Sequence, residues 1–367
     1  MKIAVLHIVN QFRSGGIREF IMNYYRNIDR NKFEFFFLVQ RDFSIPEDEE
    51  IIELGGHVVF GPVLYKNSRK YYLFLVNYLK QNKNIKIVHS HLNLRSLLPL
   101  YSAKKAGVKV RITHCHKCEN NETKSQVLKR KLVSAAIKSV ANVMCACSVN
   151  SARYLFGNDK SVIIIKNAID TWKFTANSET RDMIRTQLGV TDELVIGHVG
   201  NFSPEKNHAF LIEVFEEMIK MNSKVLLVLI GEGEKFEQIK SIVSDKPLIC
   251  NRVMFLGTIS DVSQYYNAFD AFVFPSLSEG FGMAILEAES MELPVLVSEE
   301  IHSEACIDGL YNKISLTAPA KMWADTVYSI IGSQRSDAPT IVRQNGFDIM
   351  DNVKKLEALY MKYTSKK

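Results

Sequence analysis

Short runs of β-branched and aromatic residues alternate with helix-patterned segments along this chain, and the alternation starts twice. In the first half Ile3 to Val9, Phe33 to Val39, Val58 to Phe60, Ile85 to His89, Val108 to Thr113, Val143 to Cys147 and Val162 to Ile165 read as strands. Ile17 to Asn27, Tyr71 to Lys80, Arg95 to Ala106 and Ser125 to Val140 read as the helices between them. The pattern restarts with strands at Leu194 to Val199, Val225 to Ile230, Val253 to Leu256, Ala271 to Phe274 and Val295 to Val297, and helices at His208 to Met221 and Ser260 to Asn267. Such alternation specifies a parallel sheet covered on both faces. A chain of 367 residues exceeds one ordinary core. The expectation is an α/β protein of two similar domains with a cleft between them, divided where the pattern turns polar between Asn167 and Thr186. A last helix near Asp348 to Tyr363 has no strand after it.

Composition excludes several classes. With 47% hydrophobic and 23% charged residues the chain has the usage of a soluble globular protein. No apolar run approaches the ~20 residues of a membrane span. The start, Met1 to Leu6, lacks the apolar region and cleavage site of a signal peptide and reads as a first strand. Six scattered cysteines suit reduced thiols, so a cytoplasmic location is expected. Charge is uneven: through Asp170 there are 27 Lys+Arg against 13 Asp+Glu, a net +14, and the remainder holds 19 against 27, a net −8. A basic half points to an anionic partner. No nucleic-acid recognition motif accompanies it.

The stretch Ser278-Glu279-Gly280-Phe281-Gly282-Met283-Ala284-Ile285-Leu286-Glu287 follows the apolar run Ala271 to Pro275 and enters a short helix that must stop by Pro294. Glu279 therefore sits in a glycine-rich turn at a strand's carboxyl end, where open α/β sheets bind ligands. Glu287 lies about a turn into the helix. The turn offers backbone N–H groups and a positive helix end to an anion, with a carboxylate on each side. That suits a nucleotide sugar, diphosphate on the amides of Gly280, Phe281, Gly282 and Met283 and hydroxyls on the carboxylates.

Other strand ends carry further candidates. Ser14-Gly15-Gly16 is a phosphate loop or a simple tight turn, and it lacks the G-x-G-x-x-G of a dinucleotide site. Gly200-Asn201-Phe202-Ser203-Pro204-Glu205-Lys206-Asn207-His208 repeats that position in the second half. Lys206 there is either a cation for a departing diphosphate or a solvated lysine. Gly231-Glu232-Gly233 could let a base or ribose lie against backbone, or be a plain turn. His7, His89-Ser90-His91 and His114-Cys115-His116 end strands of the first half, and each is a cleft-facing titratable group or a structural hydrogen-bonder. His116 is the leading candidate for sugar contact and His114 the second. His114 to Cys118, with Cys145 and Cys147, is a poor zinc or redox element because no second spaced pair accompanies it. Lys124, Lys129-Arg130-Lys131 and Lys138 among Val127, Leu128, Leu132, Val133, Ile137 and Val140 read either as a helix lying on anionic lipid or as a core helix with a solvated face.

Together these motifs resemble a family 4 glycosyltransferase of GT-B fold, of the kind that builds bacterial capsular or exopolysaccharide repeat units. Gly15-Gly16, Val88 to His91, Arg111 to His116, Ile165 to Asp170, Ser203 to Asn207 and Glu279 to Glu287 carry the likeness across both halves. The resemblance implies two Rossmann-like domains facing across a cleft: an acceptor domain over 1–168, a nucleotide-sugar domain over 169–347, and a helix over 348–367 crossing back to the first. It implies sugar transfer from a nucleotide sugar, UDP-sugar favoured, with retention of configuration and without a metal or other cofactor. The acceptor would be a saccharide or a polyprenyl-pyrophosphate-linked saccharide, and the enzyme would sit peripherally at the inner membrane face through its basic domain. It assigns the donor diphosphate to Lys206, ribose to Glu287, donor sugar to Glu279 and His116, and closure on the diphosphate to Gly15 and Gly16. His91, His114 and Asn167 would lie in the sugar's vicinity, and Gly231 and Asn201 by the donor. Two departures stand out: Asn201 replaces a frequent arginine, and Ala168 replaces the junction glycine. A UDP-sugar epimerase and a non-catalytic nucleotide-sugar-binding partner are the alternative readings.

Overall fold

The computed structural model describes residues 2–12, 15–116, 122–301, 304–333 and 336–365, with Glu47 described by its backbone only. Ser14, Lys117 and Cys118, named above, lie outside the described residues. The chain forms two compact units, Met1–Ala168 with Ile349–Lys367, and Ile169–Asp348.

The first unit is built on strands β1 (Ile3–Ile8), β2 (Phe33–Val39), β3 (His57–Phe60), β4 (Ile85–Ser90), β5 (Val110–Cys115), β6 (Val143–Ala146) and β7 (Ile163–Ile164). They form one sheet in the order β3-β2-β1-β4-β5-β6-β7, parallel at every pairing. Both faces are buried, which is why the central strands read as near-continuous apolar runs. On one face Val5, Phe35, Ile87 and Ile112 pack with Phe20 and Tyr24 of helix Gly16–Asn27 and with Val353, Leu356 and Tyr360 of helix Ile349–Thr364. On the other, Ala4, Leu6, Ile8 and Val88 meet Tyr71, Leu75, Leu100, Ala103 and Ile137 of helices Ser68–Gln81, Leu97–Lys105 and Lys124–Val140. Thr123 and Gln126 form a reciprocal capping box at the start of the last of these.

The second unit repeats the plan with β8 (Leu194–Val199), β9 (Val225–Ile230), β10 (Val253–Phe255), β11 (Ala271–Phe274), β12 (Val295–Ser298) and β13 (Tyr311–Ile314), in the order β10-β9-β8-β11-β12-β13. In each unit the strand order reverses beside the first strand, at β1/β4 and at β8/β11. Such reversals open the crevices in which α/β sheets hold ligands.

The structure adds elements that periodicity did not show: helices Glu47–Glu53, Val149–Phe156, Ser178–Gln187, Phe236–Ser244, Ala320–Ile330 and Ala338–Gln344, and edge strand β13. Ser178–Gln187 buries only Ile184, so its sequence carries no apolar stripe, and the Asn177 side chain caps it instead. The unit boundary precedes that helix, at Ala168–Ile169. The helix expected over Ser260 to Asn267 is a single turn, Ser263–Tyr266.

Candidate active site

β8 and β11 pair through Ile196 with Ala271 and Gly197 with Phe272. Their carboxyl ends release two loops side by side, Gly200 to Asn207 and Pro275 to Gly282. Two hydrogen bonds tie the loops together. The Leu277 amide donates to the Glu205 carbonyl at 2.8 Å, and Asn207 Nδ2 donates to the Pro275 carbonyl at 3.2 Å. Asn207 takes φ 54°, a left-handed conformation that asparagine tolerates. It ends the short turn Pro204–Lys206 and opens helix His208–Met221.

This arrangement joins Lys206 to Glu279. Lys206 Nζ donates to Glu279 Oε2 and stands 4.6 Å from the centroid of the Phe274 ring, a cation–π contact. The second carboxylate oxygen, Oε1, accepts the Gly280 amide at 3.1 Å. Both side chains are mostly enclosed, at 18% and 15% exposure, so the pair is less screened than a surface one. Gly282, at φ 81°, caps helix Met283–Ser290, and a Cβ there would fall 2.9 Å from Ile285 Cδ1. The helix start leaves its first amides without intrahelical acceptors, Met283 among them. The Phe281 ring packs on Phe347 with centroids 5.8 Å apart. One turn on, Glu287 Oε2 accepts from Tyr266 Oη at 3.0 Å. Burial, and then the Glu287 carboxylate, hold the Tyr266 phenol well above its ordinary range.

Gly231 seats the lysine loop. It has φ 135°, and a Cβ there would lie 2.1 Å from the Gly200 carbonyl oxygen. The next glycine, Gly233, has φ 158°, and its Cβ would lie 2.6 Å from the Phe202 carbonyl oxygen. Backbone packs directly on backbone here, a reason for the glycines that turn chemistry alone did not suggest. Asn201, between these contacts, is exposed.

His198 and His208, which the sequence did not single out, lie by the same loop. His198 Nδ1 donates to the Val273 carbonyl at 2.8 Å, and burial pushes its pKa down to about 4. The His208 ring stacks on Phe202 at 3.9 Å, and burial with the neighbouring His198 and Lys206 pushes it down to about 2. Both are therefore neutral near Lys206. The signal available was positional: one residue sits in β8, the other opens the helix after it.

In the first unit Gly15, at φ 134°, and Gly16 open helix Gly16–Asn27, and a Cβ on either would meet nothing within 4 Å. His7, His89, His91, His114 and His116 gather into one cluster. The register explains it: His7 aligns with His89, and Ser90 aligns with Thr113. Alternation then puts all five on the face that Phe20 and Tyr360 cover. His7 Nδ1 and His91 Nε2 are 3.0 Å apart, and His91 Nδ1 and His116 Nε2 are 2.9 Å apart. A second chain links Tyr360 Oη to His89 Nδ1 at 2.8 Å and His89 Nε2 to His114 Nδ1 at 3.2 Å. Burial lowers His7 and His116 to about 3. Burial, then the neighbouring imidazoles, holds His89, His91 and His114 well below the usual range.

Two overlapping groups, His7–His89–His91 and His91–His114–His116, have ligand atoms close enough to share an ion. Cys115, Cys145 and Cys147 beside them are buried, and the Cys145 thiol is pushed up to about 12 by burial, which keeps it protonated. Asn167 is buried at the end of the first unit, with Oδ1 lacking a partner among the described residues.

The chain has clear relatives. The sequence model described as "Glycosyl transferases group 1" matches residues 180–340, the segment that carries Lys206, Glu279 and Glu287. A putative glycosyltransferase, EpsF, of Bacillus subtilis (strain 168) is 32% identical over 99% of this chain and 97% of its own length. The UDP-Gal:alpha-D-GlcNAc-diphosphoundecaprenol alpha-1,3-galactosyltransferase of Escherichia coli is 25% identical over 98% of this chain and 97% of its own. The crystal structure of HepE from Anabaena in complex with UDP superimposes with a TM-score of 0.78 at 18% identity, covering 99% of this chain and 100% of that one. That last match speaks to the fold, two Rossmann-like parallel-sheet domains. From the end-to-end likeness to EpsF and the family match over the Lys206–Glu279 loops, we conclude that this chain belongs to the group 1 glycosyltransferases, enzymes of GT-B fold.

Proposed function

We propose that this enzyme moves a hexosyl group from a UDP-sugar to a saccharide carried on a polyprenyl pyrophosphate, with retention of anomeric configuration, in cell-surface polysaccharide synthesis. The observation that carries the proposal is the meeting of the Lys206 ammonium, the Glu279 carboxylate and the Gly280–Met283 turn at the strand reversal of the second sheet. The relatives supply the substrate class: the Escherichia coli enzyme is named for a UDP-galactose donor and a diphosphoundecaprenol-linked acceptor.

In this scheme the donor diphosphate displaces Glu279 from Lys206. The ammonium and the turn amides then hold the charge that grows on the diphosphate as the anomeric C–O bond breaks. The acceptor hydroxyl forms the new bond on the face that the diphosphate leaves, and its proton passes to the diphosphate. Glu279, released, accepts from donor-sugar hydroxyls, and Glu287 accepts from the ribose while Tyr266 orients it. Transfer by this route needs no divalent metal, because Lys206 and the helix end supply the positive charge; with Asn201 in place of an arginine, Lys206 carries more of it. His116 serves the donor sugar and the Gly15-Gly16 loop the donor diphosphate, with the buried His91, His114 and Asn167 in the sugar's vicinity. The enzyme acts in the cytoplasm as a peripheral protein at the inner membrane face.

The test is a thermal-shift screen over nucleotide sugars, followed by transfer of labelled sugar from the best stabiliser to a polyprenyl-pyrophosphate saccharide. Stabilisation by one UDP-sugar, acceptor-dependent product of retained configuration, and weaker donor binding by Glu287→Ala are expected. Conversion of the donor with no acceptor present would instead mark an epimerase, and binding without turnover a non-catalytic partner.

A further inference from the structure

Five imidazoles stand together beneath Phe20 and Tyr360, more than contact with one sugar requires. The rings of His114 and His116 stack with centroids 4.2 Å apart, and those of His89 and His91 stand at 4.3 Å. Both three-member groups contain histidine alone, with ligand atoms within 4.8 Å of one another. They share His91, and the hydrogen bonds around them decide between the two. In His7–His89–His91, both nitrogens of His89 are engaged, Nδ1 with Tyr360 Oη and Nε2 with His114 Nδ1. In His91–His114–His116, His114 Nε2 is buried without a partner among the described residues. His91 Nδ1 there faces His116 Nε2 at 2.9 Å.

Behind His91 and His114 the second ring nitrogen is already satisfied. One set of tautomers fits both chains: His114 Nδ1 donates to His89 Nε2, His89 Nδ1 donates to Tyr360 Oη, and His91 Nε2 donates to His7 Nδ1. Metal-ligating histidines are oriented in this way, by an acceptor on the ring nitrogen that the ion does not use. His116 completes the group at its partly exposed end, where an ion can enter and a water can fill a fourth position. Its backbone amide donates to Asn93 Oδ1 at 2.7 Å, which fixes the strand end that carries it.

We infer that His91 Nδ1, His114 Nε2 and His116 Nε2 form a zinc site in the first unit. Nitrogen donors select the ion: magnesium and calcium want oxygen, whereas neutral imidazole suits zinc. Burial holds all three imidazoles neutral, the form that ligates. Tetrahedral Zn²⁺ holds its nitrogens about 3.3 Å apart, so the His91–His116 pair opens by a few tenths of an ångström. The ion replaces the proton between that pair, and His116 stays neutral with its proton on Nδ1. Spacing along the sequence hides such a site. His114 and His116 alternate onto one face of β5, and the third ligand comes from the end of the neighbouring β4. Bound there, the ion ties the two strand ends together and takes no part in breaking the donor bond.

The test is Zn²⁺ binding by the untagged full chain after chelator treatment, read by competition with a chromogenic chelator. Uptake of one Zn²⁺ per chain and a raised melting temperature are expected, with neither for Mg²⁺ at the same concentration. Co²⁺ in its place should give the visible absorption of a four-coordinate nitrogen site, without the intense near-ultraviolet band of thiolate ligation. His91→Gln and His116→Gln should each weaken Zn²⁺ binding by about a hundredfold or more. His89→Gln, which alters only the acceptor behind His114, should weaken it by about ten- to hundredfold. His57→Gln, at an exposed imidazole on β3, should bind as the parent does. Melts of the metal-free variants report folding, and the partly exposed His116 is the ligand whose replacement the core tolerates best. No uptake by the parent, tight binding retained by folded His116→Gln, binding lost in His57→Gln, or a thiolate band from Co²⁺ would each overturn the inference. The site stands on the histidine geometry alone: if Zn²⁺ stabilises the parent chain and UDP does not, the transfer scheme falls by itself.

Discussion

Lys206 and Glu279, 73 positions apart in sequence, form an ion pair across the two loops that flank the strand reversal of the second sheet. Glu279 also accepts the amide of the residue after it, so one carboxylate holds both a cation and an anion-binding amide. It occupies the place that a diphosphate oxygen takes in the proposed scheme. The same contact keeps the ammonium aimed at the turn and makes Glu279 a competitor of the donor.

Substitutions at the pair should therefore act in opposite directions on binding. Lys206→Ala should cut kcat by about 10²–10³-fold, in the range of a lost oxyanion donor, with a smaller effect on donor affinity. Glu279→Gln removes the competing charge and should tighten UDP binding by roughly three- to tenfold, the size of a partly exposed ion pair. It should lower turnover all the same, since the sugar hydroxyls lose their acceptor. Calorimetry with UDP and steady-state kinetics check both; weaker UDP binding by Glu279→Gln would contradict the exchange.

Gly231→Ala tests the seating of the lysine loop. The new Cβ would meet the Gly200 carbonyl, which is backbone and cannot swing aside, at a φ that alanine avoids. A loss of about 2–4 kcal/mol in stability is expected, in line with overpacking plus backbone strain. Denaturant melts report the stability. Activity should fall in protein that remains folded, because Lys206 moves with its loop.

Acid should unfold the first unit through its buried imidazoles. His7, His89, His91 and His114 are held neutral well below the ordinary histidine range, His7 to about 3. A histidine with a lowered folded pKa costs nothing above about pH 6.5, where both states are neutral. Below that the unfolded chain takes up protons that the folded one refuses. At pH 5 each such residue costs about 2 kcal/mol, so four set an upper bound near 8 kcal/mol, comparable to the stability of a whole domain. Circular dichroism melts should lose stability steeply from pH 6.5 to 5, and His7→Gln should make the slope shallower by about one proton.

Glu289 should act with the opposite sign in the second unit. Its carboxyl is buried, accepts the Ile307 amide at 3.1 Å through Oε1, and leaves Oε2 without a partner among the described residues. Burial raises its pKa well above the usual carboxylate value. The folded state keeps this proton above pH 4.5 while the unfolded state releases it, so stability is lost as pH rises. Glu289→Gln removes that linkage and should add about 1–2 kcal/mol at pH 7.5 with little change at pH 4.5. Paired melts at the two pH values check it.

Much of the fold and part of the site were legible before any coordinates. Apolar runs of strand length, alternating with helix patterns, specify two parallel sheets because that order admits few other layerings. The Glu279 turn was visible because strand, glycines and helix are contiguous, and short-range geometry follows from short-range sequence. Helix Ser178–Gln187 was invisible for the converse reason: its side chains face solvent and leave no period. Tertiary structure alone decided that five histidines from three strands share one face, since sheet order and register set their meeting. It decided too that the Gly200 carbonyl fills the place of a Gly231 side chain, and that Tyr266 holds Glu287. Pattern fixes what each segment becomes; distances between segments far apart in sequence depend on how the sheets align them, and the chemistry of this site lives in those distances.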